Sequence, residues 1–233
     1  MHPWTPLTCQ MSRLRLIIFD VDGTLVDSEA DIFGALELAY KAAGIPAPDR
    51  RDARRIIGLS LVEAFARLSP DVDHKTILHL VENYKAAYMS LRQEKGSAET
   101  SPLFEGARAV LEHLNSDPWT LLAVATGKSR RGLDKLIEGH DLHSFFVSRQ
   151  VADDHPSKPH PSMILSALAE TGVAPENAIM IGDTSYDMEM ARAARVSKIG
   201  VSWGYHPVQE LDADRIANRF IDLPKLVTEL LGV

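Results

Sequence analysis

At 233 residues, 45% hydrophobic and 24% charged, the chain can bury one large core, or a core with a smaller companion. Its net charge of −7 argues against nucleic acid or an anionic membrane as the main partner, because both need a basic face, yet permits a local basic pocket for a small anion. The lone cysteine, Cys9, excludes an intrachain disulfide and a cysteine-based zinc site.

Met1 to Gln10 lacks the basic and apolar regions of a signal peptide, and no apolar run reaches the ~18 residues of a membrane helix. A cytoplasmic location follows as the expectation. Residues 1–13 read as an unstructured N-terminal extension, and Met11 offers an alternative start.

The first ordered stretch, Leu16-Ile17-Ile18-Phe19, reads as a parallel strand buried on both faces. It ends in Asp20 and Asp22, followed at once by Gly23. Side chains two apart on an extended chain point the same way, so both acids can face one ligand at the strand's carboxyl end. Such a pair needs a cation, a proton, or both. Two blander readings are a turn capped by the acids and a calcium loop. For a calcium loop the glycine comes too early, and a strand precedes it.

From Leu25 to Trp119 the pattern is helical. Apolar stripes run through Ile32, Leu36, Ala39, Tyr40 and Ala43, then Leu61, Phe65 and Leu68, then Ile77, Leu80, Val81, Tyr84, Tyr88 and Leu91. This predicts an all-helical insertion of about 75 residues, enough to keep a small core of its own. Its linkers fall near Asp27-Ser28 and Thr100-Ser101-Pro102. The expected division is a core from residues 14–27 and 101–233, with an inserted helical domain at 28–100.

Strand-like runs then alternate with helical ones: Leu121 to Ala125, Phe145 to Val147, Ala178 to Ile181, Lys198 to Val201 and Arg219 to Ile221, with helices over 132–139, 161–171 and 186–195. This predicts an α/β fold, a Rossmann-like parallel sheet covered on both faces.

The other chemical residues also fall at strand ends. Thr126-Gly127-Lys128-Ser129 offers a hydroxyl and free N–H groups at a helix start, equally readable as an anion site or an ordinary N-cap. Lys158 sits in a stiff frame before Pro159. Asp183 and Asp187 follow the fourth strand, one helical turn apart. Each has a bland explanation alone; four acids, a hydroxyl and a lysine together point to a phosphate and a Mg²⁺ ion. At about 4 Å and an effective dielectric of 20, two like unit charges repel by roughly 4 kcal/mol, so a phosphate dianion beside Asp20 requires Mg²⁺ and Lys158. The histidines have no metal-site spacing, Arg130 and Arg131 suit a solvated helix face, and Met180, Met188 and Met190 read as packing.

Asp20-Val21-Asp22-Gly23-Thr24-Leu25, Thr126, Lys158-Pro159 and Gly182-Asp183-Thr184-x-x-Asp187 resemble, in order, the four motifs of the haloacid dehalogenase (HAD) superfamily. The helical insertion resembles that family's type 1 cap. Glu105-Gly106-Ala107, Ala191 to Ala194 and Trp203-Gly204-Tyr205 resemble its phosphoglycolate phosphatase-like branch. The resemblance implies Asp20 as nucleophile, Asp22 as acid and base, and Thr126, the Gly127 N–H and Lys158 as phosphate holders. It implies Mg²⁺ on Asp20, the Asp22 carbonyl, Asp183 and, directly or through water, Asp187. It places Arg54, Gly58, Leu59 and Ser60 where related caps dip into the site.

The implied activity is Mg²⁺-dependent hydrolysis of small phosphate esters, of the phosphoglycolate or sugar phosphate type. The acid at Asp22 fits phosphatases rather than dehalogenases. Phosphoglucomutase-like transfer and a phospho-accepting module without turnover are the alternatives. Phe104 stands where relatives carry proline, and Arg195 where they often carry glycine, which would strain a left-handed turn. Nothing in the sequence specifies an oligomeric state or one substrate.

Overall fold

The structure is a computed structural model that describes residues 14–232. The expected N-terminal extension and Cys9 lie outside the described residues. Six parallel strands form one sheet: β1 (Arg15–Phe19), β2 (Thr120–Thr126), β3 (Phe146–Val151), β4 (Ala178–Gly182), β5 (Ser197–Val201) and β6 (Arg215–Ala217), in the order β3-β2-β1-β4-β5-β6. The order reverses beside β1, and open sheets of this kind bind ligands in the crevice beyond that reversal. Register puts Phe19 level with Val124 on one side and Ile181 on the other, so the segments after β1, β2 and β4 emerge together.

Strand β1 is buried on both faces because its side chains feed two cores. Leu16 and Ile18 join Met163, Met180 and Met190 on one side; Ile17 and Phe19 join Leu111, Leu133 and Phe220 on the other. Helices α6 (Ala107–Asn115), α7 (Arg130–Gly139), α8 (Ser162–Thr171), α9 (Ser185–Ala194) and α10 (Leu223–Leu231) cover these faces.

Between them in chain order, residues 29–100 form only helices: α1 (Glu29–Ala43), α2 (Arg50–Arg55), α3 (Leu61–Leu68), α4 (His74–Lys95) and α5 (Ser97–Thr100). The apolar stripes read from the sequence meet in a separate cluster of Leu36, Ala39, Tyr40, Phe65, Ile77 and Leu80. Helix α1 stops at Gly44, in a left-handed conformation, and α4 starts where the Asp73 side chain accepts from the Thr76 N–H at 2.9 Å. The two connections to the sheet run side by side, with the Asp27 N–H donating to the Pro102 carbonyl at 2.9 Å. At their base the buried Ser101 hydroxyl donates to Asp31 at 3.0 Å and accepts from Arg92 at 2.9 Å.

One strand differs from the sequence reading. The last strand is Arg215–Ala217; Phe220–Asp222 forms a 3₁₀ turn instead. The Arg219 N–H donates to the Asp222 carboxylate at 3.1 Å, which closes the backbone into a turn. Phe220 is then free to stack on Phe19, with ring centroids 6.5 Å apart. Strand β3 also runs longer than its apolar start at Phe146 suggests. Among the described residues no helix is long and apolar enough to cross a membrane.

Candidate active site

The chain leaves β1 at Asp20 and turns back at Gly23, whose φ of 81° is open to glycine at no steric cost. Asp20 is buried, and its Oδ1 accepts from Lys158 Nζ at 2.6 Å. The same ammonium donates to Asp187 Oδ1 at 2.7 Å. The other Asp187 oxygen accepts from the Thr184 hydroxyl at 2.7 Å and from its N–H at 3.1 Å, a capping box that starts α9. Asp183, at the tip of β4, accepts from the Thr24 hydroxyl at 2.9 Å and from the Tyr205 N–H at 2.8 Å.

Carboxylate oxygens of Asp20, Asp183 and Asp187 all lie within 4.8 Å of one another, fully out of solvent. One ammonium faces three buried acids, and the consequence is electrostatic. Burial, opposed by Lys158 and reinforced by Asp187, pushes Asp20 up to about 7. Burial, with the charges of Asp20 and Asp187, also pushes Asp183 well above the carboxylate range. Burial alone would lower Lys158, but Asp187 and Asp20 outweigh it and hold the ammonium protonated. Among the described residues, Asp20 Oδ2 has no hydrogen-bond partner. An all-oxygen cluster of three buried carboxyl groups served by a single ammonium suits a hard divalent cation.

The Asp22 carboxylate lies outside this triad. It accepts from the Ser28 hydroxyl and pairs with Lys128 Nζ at 2.8 Å. Lys128 also donates to the Tyr88 hydroxyl of α4 at 3.0 Å. Thus a core lysine ties Asp22 to the helical insertion. Sequence reasoning treated Lys128 only as part of a turn, although its place two residues after Thr126 was a usable signal. Tyr205 was likewise read only as a branch marker; its hydroxyl accepts from the Ser28 N–H at 3.3 Å.

Thr126 is buried at the tip of β2, where its hydroxyl oxygen accepts from the Lys128 N–H at 3.2 Å, and Ser129 caps α7. Thr126, Gly127, Asp20 and Asp22 line one cavity with Gly58 and Leu59 of the insertion. The insertion sits close here: a Cβ added to Gly127 would lie 2.6 Å from the Gly58 carbonyl oxygen. The Ser60 N–H donates to Ser157 Oγ at 2.9 Å, next to Lys158. Arg54 does not reach the cavity and pairs with Glu29. Arg130 turns away to Asp154 at 2.6 Å, and the acid cluster includes no histidine among the described residues.

A sheet with this strand order, a helical insertion after the first strand, and acids gathered at strand tips define the class. The chain belongs to the haloacid dehalogenase-like hydrolase family, whose model matches residues 17–201. It is 37% identical over 201 residues to a protein named probable phosphatase IndB from Dickeya dadantii, covering 85% of each chain. It is 32% identical to a phosphoglycolate phosphatase from Caulobacter vibrioides, covering 92% of this chain and 91% of the relative. A haloacid dehalogenase-like hydrolase from Streptococcus pneumoniae superposes with a TM-score of 0.78 at 30% identity, covering 92% of this chain and 98% of that one.

Proposed function

We propose that this HAD-family phosphatase is a Mg²⁺-dependent phosphomonoester hydrolase of small phosphorylated metabolites, working through an aspartyl-phosphate on Asp20. The observation that carries the reading is the state of Asp20. One oxygen is anchored by Lys158 at 2.6 Å and the other is buried without a partner among the described residues. That fixes the carboxylate's orientation while leaving a lone pair free for attack.

In this reading Asp20 Oδ2 forms a bond to phosphorus as the bond to the leaving oxygen breaks. Asp22 gives that oxygen its proton and then takes one from the water that attacks the aspartyl-phosphate. Attack at phosphorus frees Asp20 and releases inorganic phosphate. The Thr126 hydroxyl, the Gly127 N–H and Lys158 hold the phosphoryl oxygens. Held by Asp20, the Asp22 carbonyl, Asp183 and Asp187, Mg²⁺ would supply the positive charge that offsets repulsion between the phosphate and these acids. Residues 28–100 act as a cap domain that sheds bulk water and reads the leaving group. A cytoplasmic location belongs to the same proposal.

The test is phosphate release from a generic aryl phosphate. Continuous release with Mg²⁺, reversible loss on EDTA treatment and no turnover by Asp20→Ala are expected. One phosphate per protein would instead favour a phospho-acceptor, and turnover by Asp20→Ala would end the reading.

A further inference from the structure

The cavity that opens on Asp20 and Asp22 has a volume of about 860 Å³, near the top of the roughly 300–1,000 Å³ range that takes drug-sized ligands. It runs from the acids into the helical insertion, and its far walls are apolar and partly exposed: Ile56 after α2, Leu61 and Leu68 of α3, and Tyr84 and Met89 of α4. Behind them Phe65 backs Tyr84 from the insertion's core, with ring centroids 5.7 Å apart, while the Tyr88 ring is taken by Arg92 and Lys128 at 4.7 and 5.1 Å from its centroid.

The cations lining the cavity are mostly committed. Lys128 pairs with Asp22 at 2.8 Å, Lys85 with Glu82 at 2.9 Å, Lys135 with Glu138 at 2.6 Å, and Arg92 with Asp31 at 3.4 Å. Arg131, exposed on the first turn of α7, has no ion pair among the described residues. A compact leaving group bearing a carboxylate would therefore fill little of the space and find its inner countercharges taken. Apolar surface would be removed from water only by a larger hydrocarbon body.

We infer that the preferred substrate is a phosphate monoester of a bulky, largely apolar alcohol, whose ring or branched body lies against Leu61, Leu68, Tyr84 and Met89. This rests on the phosphatase reading and narrows it. Contact with the Tyr84 ring adds to simple burial.

The experiment compares kcat/KM for 2-phenylethyl phosphate, ethyl phosphate and 2-phosphoglycolate, with the full chain and Mg²⁺. The first two release alkoxides of similar basicity, so their ratio reads binding rather than bond strength. The phenylethyl ester should exceed the ethyl ester by at least about tenfold, from burial of one ring, and should exceed phosphoglycolate. A ratio near one, or a preference for phosphoglycolate, overturns the inference and leaves the phosphatase reading standing. No phosphate from any ester, the generic aryl phosphate included, overturns both. Ala64→Trp, which fills the cavity from α3, should cut the phenylethyl-to-ethyl ratio by about tenfold; an unchanged ratio counts against the inference. Ala64→Leu asks the same with a smaller side chain, should the tryptophan variant not fold.

Discussion

Lys158→Met removes the ammonium at the centre of the site while keeping most of the side chain's volume. The Lys158 side chain is fully buried, with Nζ 2.6 Å from Asp20 and 2.7 Å from Asp187. Removing one partner of a buried ion pair leaves an uncompensated charge and costs about 3–5 kcal/mol. The loss should depend on pH in a definite direction. Lys158 is held above its ordinary pKa and stays charged from pH 5 to 8, so the wild-type ammonium contributes throughout. Asp20 titrates at about 7 when folded against 3.8 when unfolded. Between those values the folded state binds the extra proton, and metal-free stability falls as pH rises. Without Lys158 that carboxyl moves higher still, and the fall extends to higher pH. Urea unfolding in EDTA should therefore give a larger deficit for Lys158→Met at pH 8 than at pH 5. In a double-mutant cycle Asp20→Asn should recover part of it. A deficit below about 1 kcal/mol at pH 8, or one independent of pH, would refute the argument.

Three further outcomes are expected. Mg²⁺ should raise the melting temperature more at pH 8 than at pH 5, because Asp20 and Asp183, both pushed up by burial, hold protons that compete with the ion; equal shifts would exclude them as ligands. Arg195 is exposed with φ 61° and ψ 36°, so Arg195→Gly should relieve left-handed strain and stabilise by about 0.5–1 kcal/mol, a rise of roughly 1–4 °C in Tm; a fall would show the strain is absent. Gly127→Ala would push a methyl to within 2.6 Å and 2.7 Å of the Gly58 and Leu59 carbonyl oxygens. Displacing that backbone should lower kcat/KM by on the order of tenfold to a hundredfold, and an unaltered value would mean the loop yields freely.

Much of this molecule was legible in the linear chain. The doubly buried β1, the acids at its end and the helical stripes of residues 29–100 are all consequences of backbone geometry within a few residues, whereas the left-handed turn at Arg195 was suggested only by the glycine that relatives often carry there. Periods of two and 3.6 and the steric limits on φ are written locally. Where local signals coincide, the reading faltered. Arg219-Phe220-Ile221, with two apolar residues after a charged one, suits a strand or a turn equally, and stacking on Phe19 and the Arg219–Asp222 cap decided for the turn.

The site's electrostatics came from the tertiary structure alone. Lys158 meets Asp20 across 138 positions of chain, and Lys128 meets both Asp22 from β1 and Tyr88 from the insertion. Residue types announced that a lysine and several acids were available; they could not say which carboxylate each ammonium would neutralise, nor that Arg54 would turn outward to Glu29. Nor could they measure the cavity between insertion and sheet. Those distances exist only once parallel strands align their carboxyl ends and a separate helical core docks above them. An ion pair or an open volume depends on separation in space, which sequence periodicity does not encode.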